Sequence, residues 1–520
     1  MAFVDIHTNN LSRELNNSIT YPDNYVFIPG TAITGDPDIF YVFNSLSEFQ
    51  TACGTHGPDG SLSYEYVAGV LSAGLPVIFK RIAYNNINTE EVQSAQKAKV
   101  EITHTDGATQ GDVSDIRITE KYGGTYGNDL SITIRNTGTA YYLDVYLDRT
   151  TLIESKRLIT YQPEEELIEI NQKLINALQT AEFEKIDIDV LITDASKFSL
   201  SQVTKEPLTG GTDLDEGLVP AMLPQIYDQL TDKILYSPKF ITSGGYTDEN
   251  PTVSTPIADA MKELTRKRQD CRALIDLPIN TLKEDQQETA RLLAYQQTSN
   301  IQNIPSASTC APWVYMQVGN NQLWMPPSFA YLMVVGDAVS RGGKSYTPKA
   351  GLSNGVIPNV IRTQFEIGSD LSEQWQKDGD VNINPIMRLQ GGSYVIAGNS
   401  TLLQLDEATN EENAFSESSA DLTVIEIRRQ AYNVAVELQY QYNAVTAFET
   451  FSLRMAKLLD AMSTEGSVTR YDIENISTDD EPRKLKVRLD VYLTPTIKNI
   501  EIFLNISYGS VEVGTTGGEA

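Results

Sequence analysis

A glycine-flanked serine is the first candidate for covalent chemistry. Residues 351–355 read GLSNG, the G-x-S-x-G pattern that exposes a serine on a sharp turn between a strand and a helix. KSYTPKA stands where the apolar strand should be, and VIPN with Pro358 follows. A loop is the better reading of Ser353, and His7, His56 and His104 all lie upstream, so no base follows it. Residues 341–345, RGGKS, match the end of a phosphate-binding loop, but Ala338 holds the place of its first glycine. The acids from Asp406 to Glu417 have the span of a calcium loop, yet Ala408 and Glu411 stand where an oxygen ligand and the turning glycine belong. Cys53 and His56 make half a zinc knuckle without a second half, and Cys271 opens an apolar strand and reads as a packing residue. Lys262, Arg266, Lys267, Arg268 and Arg272 form a basic helix edge, read as a solvated face, with an inter-subunit ion-pair patch as the sharper alternative. No catalytic, cofactor or metal set survives, and the chain is read as a non-enzyme without cofactors.

The elements that would have to position such residues are many and mixed. Residues 1–24 are polar and Asn-rich, with Phe3, Val4 and Ile6 as their apolar cluster, and read as an arm. Short apolar strands (YVFIPG, DIFYVF, LPVIFKRI) and a small-residue helix fill residues 25–83, a unit too small to stand alone comfortably. Regular strands follow in residues 97–211: KVEITHT, DIRITEK, DLSITIRN, YYLDVYL and IDVLIT, with one helix near residues 164–178. Leu143, Val145 and Leu147 alternate with Asp144, Tyr146 and Asp148, the pattern of a half-buried antiparallel strand. From residue 213 to about 300 the order becomes strand, helix, strand, helix (KILYSPKFI, PIADAMKELTRKRQ, CRALIDLP, then a helix over 289–297), which argues for a parallel sheet covered by helices. The acid-rich stretch 405–421 reads as a solvated loop. Two amphipathic helices follow it, one striped by Ile427, Ala431, Val434, Leu438, Tyr442 and Val445, the other by Phe451, Met455, Leu458, Leu459 and Met462. The expected fold class is α+β and multi-domain, with mixed α/β cores, a β-rich insertion and extended terminal arms.

Composition narrows the function. The 520 residues carry 40 Lys and Arg against 69 Asp and Glu, a net charge of −29, which opposes binding to nucleic acid or to anionic membrane. Packed copies of such a chain repel, so assembly should respond to ionic strength. Residues 1–10, MAFVDIHTNN, lack a basic segment followed by an apolar core, so Sec export is not expected. Apolar runs such as FAYLMVV at 329–335 are too short to span a bilayer. Three scattered cysteines suit a reducing compartment.

The end of the chain is unusual. Val487, Leu489, Val491 and Leu493 alternate with polar residues up to Pro495, and then Ile500, Ile502, Leu504, Ile506 and Tyr508 repeat the pattern almost at the terminus. A strand there can complete its own sheet or pair with another molecule, because ladder hydrogen bonds are indifferent to chain identity.

Several segments, in order, resemble the contractile tail sheath family of bacteriophages and related injection machines. They are residues 45–49 (SLSEF), 73–82 (AGLPVIFKRI), 122–135 (YGGTYGNDLSITIR), 207–213 (PLTGGTD), 272–278 (RALIDLP), Pro312 and Trp313, 325–328 (MPPS) and 383–402 (INPIMRLQGGSYVIAGNSTL). The resemblance implies a structural subunit that polymerises as stacked, hexameric rings around a tail tube and contracts during genome delivery. A bacteriocin or extracellular injection-system sheath and a β-rich receptor-binding adhesin are the alternatives. Implied partners are further copies of the chain, the tail tube protein, and baseplate and tail terminator proteins, without nucleic acid or direct membrane insertion. The implied location is the virion tail, after assembly in the host cytoplasm.

On this basis the domains are expected as a 1–24 arm, an inner domain from 25–96 and 396–497, an outward-facing β-rich insertion at 97–211, an α/β middle domain at 212–395, and a strand arm with a flexible tail at 498–520. The resemblance further implies that Phe3, Val4, Ile6, Ile500, Ile502, Leu504, Ile506 and Tyr508 serve inter-subunit strand arms. Arg454 and Lys457 on the second C-terminal helix are the candidates for tube contact.

Overall fold

The computed structural model describes residues 24–86, 93–106, 111–233, 235–248, 256–279, 306–376, 382–389, 391–403, 414–440, 445–478 and 483–497. An eight-stranded sheet organises the molecule, in the order Tyr41–Phe43, Val77–Arg81, Val26–Gly30, Phe240–Thr242, Arg272–Leu274, Ala307–Ala311, Ile383–Arg388, Tyr394–Ile396. The six inner strands run parallel and the two outer ones antiparallel. Strands from residues 25–96 thus lie in one sheet with strands from residues 212–395; the small early unit folds as part of a larger body. Parallel strands buried on both faces read as continuous apolar runs, and neighbouring residues here do point to different cores. Val26, Ile28, Val77 and Phe79 join helices Ser63–Ser72 and Pro327–Ser340, while Phe27 and Ile78 join helices Val219–Gln229 and Pro256–Arg268.

Residues 97–211 form a separate core. A four-stranded antiparallel sheet (Thr151–Thr160, Ala140–Leu147, Leu130–Asn136, Val203–Pro207) and a three-stranded one (Ile186–Val190, Gly111–Glu120, Lys99–Asp106) share it with the helix Leu167–Thr180. The ten-residue strand Thr151–Thr160 escapes sequence pattern because two register shifts interrupt its alternation.

The root of this insertion is where two of the segments quoted above meet. Asn128 Nδ2 donates to Gly211 O and Gly211 N donates to Asn128 Oδ1, each at 2.9 Å. Thr125 donates from its amide and its hydroxyl to Asp213, at 2.9 and 2.7 Å. Buried Arg81 ties this root to the sheet by donating to the carbonyls of Ala32, Tyr122 and Gly123 at 2.9, 3.1 and 2.6 Å. Gly124 has φ +128, and a Cβ there would stand 2.1 Å from Ile33 O, so no other residue fits.

Three expectations are corrected. The helix beginning at residue 418 ends at Leu438, short of the expected Val445, with Tyr440 in the left-handed region just beyond it. The expected strand KILYSPKFI shrinks to Phe240–Thr242. The acidic run is not solvated to its end: Glu417 and Asp421 are buried. The helix expected at 289–297 lies outside the described residues.

Candidate assembly surface

The C-terminal unit is a helix rooted in buried charge and a hairpin left open. The N-terminal half of Ser418–Leu438 packs Leu422, Ile425 and Ile427 into the core and lies across the N-terminal ends of the inner strands. Arg272, the first residue of its strand, donates from Nη1 to Ser418 O at 2.8 Å and to Asp421 Oδ2 at 3.2 Å. Ser306 Oγ donates to Asp421 Oδ1 at 3.0 Å. Lys239 forms an ion pair with Glu426 and also donates to Ser345 Oγ at 2.8 Å. Arg429 donates to the carbonyls of Ser237, Pro238 and Asp270 at 2.9, 3.2 and 3.2 Å. The basic edge read from sequence therefore divides. Arg266 and Lys267 are solvated beside Glu263, while Arg268 and Arg272 are buried and bind Asp270 and Asp421.

Burial dominates the electrostatics of this junction. It pushes the Asp421 carboxyl up to about 6 against the pull of Arg272. Burial also raises Glu426, but the charge and hydrogen bond of Lys239 outweigh it and hold the carboxyl below its ordinary value. Nearby, burial lowers the Lys349 ammonium to about 7, with Lys239 and Arg341 pushing the same way. Under the helix Pro327–Ser340, burial raises Asp276 to about 7 although Ser328 donates to it from both amide and hydroxyl.

Helix Val445–Thr464 buries Met455, Leu459 and Met462, as its stripe predicts. The hairpin Val468–Asn475 and Val487–Leu493 lays Tyr471, Ile473, Leu489 and Val491 against this core. Its other face is polar, with Arg470 stacked 3.8 Å from the Tyr492 ring and Arg488 paired with Glu474 at 3.1 Å. Each strand pairs only with the other among the described residues, so both outer edges carry unused ladder groups. Beyond Pro495, Thr496 donates from its amide and hydroxyl to Glu417 at 3.2 and 3.0 Å, which fixes where the chain leaves the unit. The N-terminal segment joins at the same end of the sheet, since Lys239 N donates to Tyr25 O at 2.8 Å.

Phe3, Val4, Ile6, Ile500, Ile502, Leu504, Ile506 and Tyr508 all lie outside the described residues. Arg454 and Lys457 sit on the exposed side of the second helix, Arg454 paired with Glu437 of the first, beside Leu453, which is 74% exposed. Sequence reasoning missed the His104–Asp115 pair, Nδ1 to Oδ2 at 2.7 Å. Asp115 also accepts from Ser199 N at 2.9 Å, so it cross-links two parts of the insertion. Ser353 lies exposed on a one-turn helix that no strand precedes. Among the described residues no group of His, Cys, Asp or Glu side chains is placed to hold a metal ion, and no helix is long and apolar enough to cross a membrane.

The fold has counterparts among solved structures. A sheath tail protein from Listeria innocua aligns with a TM-score of 0.61 at 12% sequence identity, over 91% of this chain and 94% of that one. A sheath tail protein from Desulfitobacterium hafniense aligns with a TM-score of 0.54 at 10% identity, over 87% and 90%. At these identities the likeness is one of fold. No family model matches the chain, and no curated protein does.

Proposed function

We propose that this protein is a non-enzymatic subunit of a contractile tail sheath. In this reading it stacks in hexameric rings around a tail tube and contracts to drive the tube through a host envelope. The observation that carries the reading is a fold shared nearly end to end with two sheath tail proteins. Its partners are copies of itself, the tube protein, and baseplate and terminator proteins; its place is the virion tail, after assembly in the host cytoplasm. In this account residues 97–211 face outward and 396–497 belong to the inner body, while the strands of 25–96 share one sheet with those of 212–395.

The open hairpin supports the linkage. A two-stranded sheet is marginal alone and gains from added strands. The apolar faces of Ile500, Ile502, Leu504, Ile506 and Tyr508, and of Phe3, Val4 and Ile6, supply such strands to neighbouring copies. Held strands keep their partners at high effective concentration while the bodies rotate. Arg454 and Lys457, with Leu453, meet the tube.

Negative-stain microscopy of the purified chain at rising concentration and salt tests the reading. Long hollow tubes are expected, and monomers under every condition would overturn it. A chain lacking residues 500–520 should fold and fail to form tubes.

A further inference from the structure

The outward face of the insertion's four-stranded sheet has the wrong charge for this molecule. Cross-strand pairing sets Arg135 opposite Tyr142, Arg157 opposite Tyr142, and Leu152 opposite Tyr146. Arg135 donates from Nε to Asp144 at 2.7 Å and stacks 4.0 Å from the Tyr142 ring. Lys205 lies 5.3 Å from the Tyr146 ring, its backbone fixed by a hydrogen bond from its amide to Thr133 Oγ1 at 3.0 Å. Arg157 is exposed and makes no ion pair among the described residues. Three cations thus surround one buried carboxylate and an exposed Leu152, 51% accessible, on a protein of net charge −29. Two of the cations are already held by aromatic rings, so ordering them costs little on docking.

A second patch of the same unit has the opposite make-up. Leu167 and Ile168, 68% and 55% exposed, open the helix Leu167–Thr180, whose buried side joins the insertion core. Glu164, Glu166 and Glu169 are exposed around them and make no ion pair among the described residues, while Glu165 is neutralised by Lys173. The helix packs on the inward side of the sheet that carries the cationic face, so the two patches point away on different sides of the unit.

We propose that the cationic, tyrosine-lined face docks on the acidic first turn of this helix in a second copy of the chain. Opposite charges surround an apolar contact of Leu152 with Leu167 and Ile168. Because the two patches differ, the contact is head-to-tail and propagates from copy to copy rather than closing a dimer. The inference rests on the reading of the chain as a polymerising subunit and adds a contact that needs neither terminal arm.

Cysteine pairing tests it on the full-length chain, whose native Cys53, Cys271 and Cys310 are buried. One preparation carries Leu152→Cys, the other Leu167→Cys; they are mixed at high concentration and oxidised. A disulfide-linked dimer is expected in the mixture and in neither preparation alone. Adding Arg157→Glu to the first should cut its yield about tenfold by setting like charges together, and adding Glu166→Arg to the second should restore it. A mixture without the dimer, or either variant linking to itself as readily, overturns the contact whether or not tubes form. A mixed dimer without tubes supports the contact and counts against the sheath reading instead.

Discussion

The helix root and the terminal hairpin belong to one unit and are built on opposite terms. At the root, Arg272, Asp421, Lys239 and Glu426 are buried and ion-paired, although Arg272 Nη2 has no hydrogen-bond partner among the described residues. In the hairpin, half the side chains are solvated and two edges of backbone donors and acceptors have no partner among the described residues. Stability therefore concentrates at the root, and unused backbone pairing groups at the hairpin. Changes at the first should unfold the subunit, and changes at the second should leave it folded and alter what it joins.

The largest effect is expected from Asp421→Ala, which leaves the Arg272 guanidinium buried without its carboxylate and should cost about 3–5 kcal/mol, measured by denaturant unfolding. Gly124→Ala tests the insertion root in the same way. A methyl group pressed on Ile33 O at positive φ should cost about 1–3 kcal/mol, and an unchanged unfolding midpoint would show that this joint yields. Asp276→Asn sharpens the comparison through pH. The folded carboxyl titrates at about 7, well above its unfolded value, so the protonated form favours folding. That contribution is complete below about pH 4 and is lost as pH rises through 7. The Asn variant should flatten the pH dependence of the unfolding free energy and gain on the order of 2–4 kcal/mol over the native chain at pH 8. The smallest effect belongs to Arg454→Ala, whose ion pair with Glu437 is solvated. Its thermal stability should stay within about 0.5 kcal/mol, while binding to tail tubes, followed by co-sedimentation, should weaken.

Much of the architecture was legible because burial leaves a periodic trace. The continuous apolar strands of the sheet, the stripe on Val445–Thr464 and the alternation around Leu143 and Val145 all mark the faces that the structure buries. The glycine-containing segments 122–135 and 207–213 stood out for a reason that pattern alone does not supply: they hydrogen-bond each other and leave no room for a Cβ at Gly124. What stayed hidden depends on partners distant in sequence. Asp421 reads as one more acid in an acidic run until Arg272, 149 positions earlier, is found beside it. The cationic face is equally silent, since Arg135, Arg157 and Lys205 come from three strands that only cross-strand register unites.

The bond between Thr496 and Glu417 decides how the molecule carries a pull. Glu417 immediately precedes the helix that buried Arg272 and Lys239 hold to the sheet, so tension arriving along the polypeptide beyond Ile497 is shared between the hairpin and that anchored helix. A tug that would otherwise peel the hairpin open one rung at a time is met partly by the helix that Arg272 and Lys239 anchor.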